Sequence, residues 1–456
     1  MMRKTLTILF LLLLPALAFL QAKPTPQFKP LVFTHATVID ATGAPDKRDM
    51  SIVIVDGRIT TLGKTGRVRV PADAEIIDAS GKFLIPGLWD MHIHSGGYEN
   101  GKKYFPRLIA NGITGVRDMG SPLDEILRLR REVEAGAIIG PHMIIAGPIV
   151  QGPLPFRMPL FISVNNEAEA RQTVISLKGR GVNFIKVQDA LPRDLYFAIV
   201  DEAKRQRIPF AGHVPPSLSA AEASNAGQRS IEHLGGRFYG VLLGCSRSES
   251  ELIAKVREIV SNVMKSLNEG REPDDSGIFR ASLTKPLLES FNDRKAATLF
   301  SMFLRNQTWQ VPTLVAQPLR AAINERKDLG EDDIRYGKKL LQKQFDVVRA
   351  MQRAGVKIMA GTDFPPERAR LYEELALLVE AGLTPMEALQ SATRNPAAFL
   401  GRLDSLGTIE RGKIADLVLL DANPLEDIRN VQKINAVVFG GKLISKSSLE
   451  AMRGQN

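Results

Sequence analysis

The sequence predicts an α/β protein: a (β/α)8 TIM-type barrel carrying a small β-sandwich domain formed from both termini. Three observations predict it. Short apolar runs alternate eight times with amphipathic helical stretches across residues 87–400. The two ends of the chain show period-2 patterning with Asp-Gly or Ser-Gly turns instead. Five of the eight expected strand ends carry a histidine, a lysine or an aspartate, at the end of a barrel where active sites form.

The elements follow in chain order. MMRK precedes an apolar run from Leu6 to Leu20 and the small-residue segments Ala16-Leu-Ala18 and Leu20-Gln-Ala22. That order is a secretory signal peptide over residues 1–22, because the run is shorter than the ~20 residues of a spanning helix. The expected location is secreted or periplasmic, with no stable membrane anchor and, since no cysteine follows the run, no lipid. Residues 23–86 then give LVFTHATVID, SIVIVDGRITTLG and AEIIDASGKFLIPG, and residues 401–456 give GTIERGKIADLVLLD and AVVFGGKLI. Together these are the expected sandwich.

Within the barrel, strands are expected to end near His92, Arg117, Ile145, Val187, His213, His233, Thr313 and Asp363. Helices such as DEILRLRREVEAG and LYFAIVDEAKRQR separate most of them. Residues 237–305 are too long for a βα loop and rich in helix formers, which predicts a helical insertion near the site mouth.

Composition narrows the function classes. With 456 residues, 44% hydrophobic and 24% charged, the chain is an ordinary folded protein rather than a disordered one. Its formal charge of +10 drops to about +8 if Arg3 and Lys4 leave with the signal peptide. The basic residues are mixed with acids on helical faces, as in Arg128-Leu-Arg-Arg-Glu132, which argues against nucleic acid as a partner. Cys245 is the only cysteine, so no intramolecular disulfide is possible and the core must supply stability. A homo-oligomer is compatible with all of this.

The stretch GLWDMHIH places His92 and His94 two residues apart, on one side of a strand, where two imidazoles can meet one cation. Lys186 sits inside the apolar run FIKV, where an unpaired ammonium is costly. It either snorkels outward or reacts as a neutral amine with carbon dioxide, giving a carbamate able to bridge two cations. His213 in PFAGH and His233 in SIEH each end a strand, as a packed histidine or a metal ligand would. Asp363 in IMAGTD either caps the next helix or joins them. His35 and His142 lie away from these ends, and Asp90, just upstream of the pair, is expected to brace the strand rather than bind metal.

Taken together, PGLWDMHIH, GITGVRDMG, GQRSIEHL, AGTD and the closing segment LGTIERGKIADLVLLDANPLEDI resemble the amidohydrolase superfamily. The resemblance is to its branch of imidazolonepropionase-like proteins and metal-dependent Xaa-Pro and Xaa-Arg dipeptidases, and it covers nearly the whole chain. It implies two divalent metal ions, zinc the expected one. His92, His94 and Asp363 would hold the more buried ion, His213 and His233 the other, and carbamylated Lys186 would bridge them. It further implies a water acidified between the ions as nucleophile, with Asp363 as the catalytic proton carrier.

Two departures alter the substrate side. The third-strand loop reads AGPIVQGPLPFRMP without the branch's Gly-Gly-His, and Tyr372 stands where the branch often has a histidine. Candidate substrate-binding residues are Arg157, Gln188, Arg237, Tyr239, Arg368 and Tyr372, the arginines because a guanidinium can grip a carboxylate in a bidentate fork. The expected activity is hydrolysis of a small-molecule amide, a dipeptide or an N-acyl amino acid. A cyclic amide or lactone hydrolase is the alternative, and a non-catalytic metal-stabilised binding protein a further one.

Overall fold

The computed structural model describes residues 29–272 and 276–454. The expected signal peptide lies outside them.

The middle of the chain closes into the expected barrel. Leu88–Ile93, Ile113–Asp118 and His142–Ile145 pair in parallel. Asn183 then donates its backbone N–H to the Ile145 carbonyl at 2.8 Å and leads into Ile185–Val187. Phe210–Gly212, Ser230–Glu232 and Trp309–Val311 follow, also parallel. The Gln310 backbone bonds to Lys357 and Met359, and Met91 N–H donates to the Ala360 carbonyl at 2.9 Å, returning the ring to its first strand. Leu88–Ile93 and Ile113–Asp118 are buried throughout. Parallel strands covered on both faces have no solvated side to alternate with, so even their polar residues, Asp90, His92, Arg117 and Asp118, are buried.

The flanking helices bury their apolar stripes against this ring. Leu123–Glu134 turns Ile126, Leu127 and Leu129 inward, and Arg193–Gln206 does the same with Leu195, Ile199 and Val200. After the sixth strand come Gly240–Gly244, Glu249–Asn268 and Ala281–Glu289. Asp293–Arg305 packs on Ala220–Ala226 and leads into Trp309–Val311, the place of a regular barrel helix. The added helices are therefore those between residues 240 and 289, a narrower span than the sequence pattern suggested.

Strands from both ends of the chain share one sheet. Leu417–Leu420 pairs antiparallel with Phe83–Pro86, which pairs with Leu31–Val38, itself paired to Lys47–Val55. Phe33, Ile52, Leu417, Leu419 and Val438 contribute to a single apolar cluster. The sandwich is thus one continuous sheet curled on itself. Ile59 N–H donates to the Lys413 carbonyl at 2.9 Å, and the Gly57 turn lies against Gly441, joining the two arms. No helix among the described residues is long and apolar enough to cross a membrane.

Candidate metal centre

The first barrel strand delivers the opening pair of histidines as its two-residue period requires. The Nε2 atoms of His92 and His94 both lie 3.2 Å from Oδ1 of Asp363, and His233 Nε2 lies 3.8 Å from its Oδ2. The ring centroids run in a chain, His94 to His92 at 5.4 Å, His92 to His233 at 4.6 Å and His233 to His213 at 4.9 Å. Donor atoms of His92, His94 and Asp363 converge closely enough to hold a metal ion. Lys186, on the strand next to that of His213, is buried.

Each imidazole is oriented through its other nitrogen. Nδ1 of His92 lies 2.9 Å from Glu232 Oε2, that of His94 2.9 Å from the Gly120 carbonyl, and that of His213 2.8 Å from Asp189 Oδ2. His233 Nδ1 meets Thr313 Oγ1 at 2.5 Å, and that hydroxyl donates onward to the Pro312 carbonyl. A carbonyl or carboxylate on Nδ1 keeps the proton there and leaves Nε2 as a lone-pair donor, the arrangement that metal-ligating histidines have. The buried Nε2 of His92, 3.2 Å from Asp363 Oδ1, makes no hydrogen bond among the described residues, which fits a nitrogen whose lone pair ligates a cation.

The backbone is bent to make this meeting possible. Asp363, His233 and Thr313 all have positive φ, at 57°, 55° and 47°. Such conformations cost free energy in non-glycine residues and cluster at functional sites. Gly361 is required by space, since a Cβ there would come 2.7 Å from the Cβ of His92. Asp90 braces the strand as expected: it accepts from the backbone N–H groups of His92 and Thr362 and from the Thr362 hydroxyl at 2.8 Å.

Electrostatics act differently on the candidate ligands: against the effect of burial, Asp363 beside it raises His94, whereas the two histidines at the later strand ends are lowered. Burial and the neighbouring cationic groups push His233 well below the ordinary histidine range, and burial lowers His213, so both rings are neutral near pH 7. Burial opposes ionisation of Asp363, but the surrounding imidazoles outweigh it and hold the carboxyl well below its usual range. Burial pulls the Lys186 ammonium down to about 8, so a useful fraction is the free amine that carbamylation needs.

The partners of the histidines are what the sequence reading missed. Arg117 donates to Glu232 at 2.9 Å, to Ser230 Oγ at 2.8 Å and to the Met91 carbonyl at 2.6 Å, all buried. Both charges sit in apolar strand runs, TGVRD and SIEH, and two such residues of opposite sign are a signal for a buried pair. Asp189, next to Gln188, carries no local sequence signal for its bond to His213.

The substrate-side candidates scatter. Arg157, Arg237 and Arg368 are exposed, Arg368 lying 4.9 Å over the Phe364 ring beside Asp363. Gln188 is half-buried, with an enclosed Oε1 that has no hydrogen-bond partner. Tyr239 is buried. Its left-handed backbone turns the hydroxyl to the Ile278 carbonyl in the insertion, at 3.3 Å. Tyr372 lines a separate cavity with Arg320, Arg370 and Arg429 that no metal-ligand candidate reaches. A cavity of about 480 Å³ next to the centre includes Asp189 in its wall. Pro153, Leu154, Leu191, Pro216 and, from the inserted helix, Val260 and Met264 make it mostly apolar.

Comparison with known proteins agrees with this architecture. A family model described as the Amidohydrolase family matches residues 83–267 and 290–444. Ochratoxinase from Aspergillus niger is 24% identical over 495 residues, covering 92% of this chain and 87% of that protein. A Bifidobacterium longum protein assigned as a prolidase superposes with a TM-score of 0.70 at 26% identity, over 94% of this chain and 98% of its own. A Xaa-Pro dipeptidase solved with bound methionine gives 0.68 at 21% identity, over 91% and 100%.

Proposed function

The chain belongs to the amidohydrolase family, and from that premise we propose that it is a secreted two-metal hydrolase cleaving the amide of a dipeptide or an N-acyl amino acid. The observation that carries the proposal is the convergence of His92 and His94 on Asp363, each imidazole locked by a hydrogen bond to Nδ1. Neutral imidazoles and a carboxylate are a suitable donor set for zinc. In this reading His92, His94 and Asp363 hold one ion, His213 and His233 the second, and carbamylated Lys186 both. Secretion rests on the basic, apolar and small-residue order of the first 22 residues.

When bound, the cations would supply an acidified water and polarise the scissile carbonyl. The chain's own residues do the rest. Glu232, Asp189, Thr313 and the Gly120 carbonyl fix the four rings so that no ligand reorients during reaction. The Asp363 carboxylate, one-third exposed and at the rim, takes a proton from the attacking water and returns it to the departing amine nitrogen. The apolar cavity beside Asp189 receives the larger side of the substrate.

A panel of dipeptides, N-acyl amino acids, cyclic amides and lactones, incubated with the metal-loaded protein, tests the reading. Release of free amine from a linear amide is expected. Opening of lactones or cyclic amides with no linear amide cleaved would overturn it.

A further inference from the structure

At the opposite end of the barrel from the histidines, the N-terminal ends of the fourth, fifth and sixth strands enclose a cavity of about 270 Å³. Phe184, Phe210 and Phe399 wall it, and Arg117, Arg229 and Arg402 line it. Arg117 and Arg229 face Phe399, with their guanidinium carbons 5.3 and 5.7 Å from its ring centroid. Arg117 has Glu232 as counter-charge. Among the described residues, the side chains of Arg229 and Arg402 have neither a carboxylate within ion-pair distance nor a hydrogen bond, and both are only partly exposed.

A small aromatic-walled hole with two uncompensated guanidinium groups holds a net positive potential, which its low-dielectric walls strengthen. Guanidinium is the group that pairs with a carboxylate in a two-bond fork, and phenyl faces suit a flat apolar body. An engineered cavity of about 150 Å³ accommodates benzene, so this larger one admits a ring with its carboxylate. We propose that this cavity is a second binding site, for a small aromatic carboxylate, held by Arg229 and Arg402 with its ring among the phenylalanines. The site stands apart from the metal centre and does not depend on the reaction assigned there. Arg117 joins the two, because the same side chain that lines the cavity also holds Glu232, the partner of His92.

Calorimetric titration of the full-length protein tests the site, using benzoate, its neutral counterpart benzyl alcohol, and inorganic phosphate. Tryptophan emission gives the location, since Trp309 lies 5.7 Å from Phe399 and shares an apolar cluster with Trp89, the other tryptophan of the chain. Benzoate should bind saturably and shift the emission, at least tenfold more tightly than benzyl alcohol or phosphate. Arg402→Ala, at a half-exposed position, and Arg229→Met should each weaken it tenfold or more. Equal binding of benzyl alcohol would reduce the site to an apolar hole, and tighter binding of phosphate would remove the aromatic part; either overturns the proposal. Benzoate binding unchanged in both variants places the ligand elsewhere, the metal ligands included, and no saturable binding leaves no site, so each also overturns it.

Discussion

Nδ1 of His92 lies 2.9 Å from Oε2 of Glu232, a carboxylate that Arg117 grips from the other side at 2.9 Å to both oxygens. All three side chains are buried, so the pair fixes the imidazole inside the barrel rather than at its rim.

Removing that carboxylate therefore costs twice. Glu232→Ala leaves the Arg117 charge buried without its partner, a loss of about 3–5 kcal/mol of stability. Glu232→Gln also removes the charge but keeps the shape and an acceptor for Arg117, so it should destabilise less than the alanine variant while lowering metal affinity about 10–100-fold, as loss of an outer partner of a ligand histidine does. Thermal melts and chelator competition separate the two effects. Unchanged affinity in the Gln variant would remove Glu232 from the centre.

Asp363→Asn retains an oxygen for the cation and loses the proton carrier. Turnover should fall about 10²–10⁴-fold while the melting temperature of the metal-loaded protein changes little. Hydrolysis at the original rate would sink the proposed role.

Lys186→Ala should lower both bound metal and activity, and short carboxylic acids should restore part of each by occupying the bridging position. Full metal content and activity without rescue would exclude the bridge.

Glu374 supplies a pH test away from the ligands. It is buried, and Oε2 accepts from the Val315 N–H at 2.8 Å while Oε1 has no hydrogen-bond partner. Burial pushes this carboxyl from 4.5 to about 8. The folded state thus keeps a proton that the unfolded state has lost, and this group's contribution to stability falls as pH rises through that window. Glu374→Gln, which cannot ionise, should melt close to the parent at pH 5 and above it at pH 9. A gap between the two that is independent of pH would contradict the assignment.

What the sequence made legible was whatever its local period encodes. The spacing of His92 and His94 placed both rings on one point, and the apolar runs ending at His213, His233 and Asp363 located three further strand ends. The layer behind the ligands was not legible, because it joins residues far apart in the chain: Glu232 serves His92 across 140 positions and Thr313 serves His233 across 80. Tyr239 is a related case. Its place two residues after Arg237 suggested the mouth, but a left-handed φ of 58° turns it toward Ile278, and no sequence pattern announces that reversal. The single curled sheet likewise depends on pairing between Phe83–Pro86 and Leu417–Leu420, which no local signal specifies.

Whether the protein is a two-metal amide hydrolase is decided by titrating zinc into chelator-stripped protein and following amide hydrolysis against ions bound per chain. Activity should be absent without metal and reach its plateau at two ions. Full activity in the stripped protein, or a plateau at one ion, would contradict a two-metal hydrolase.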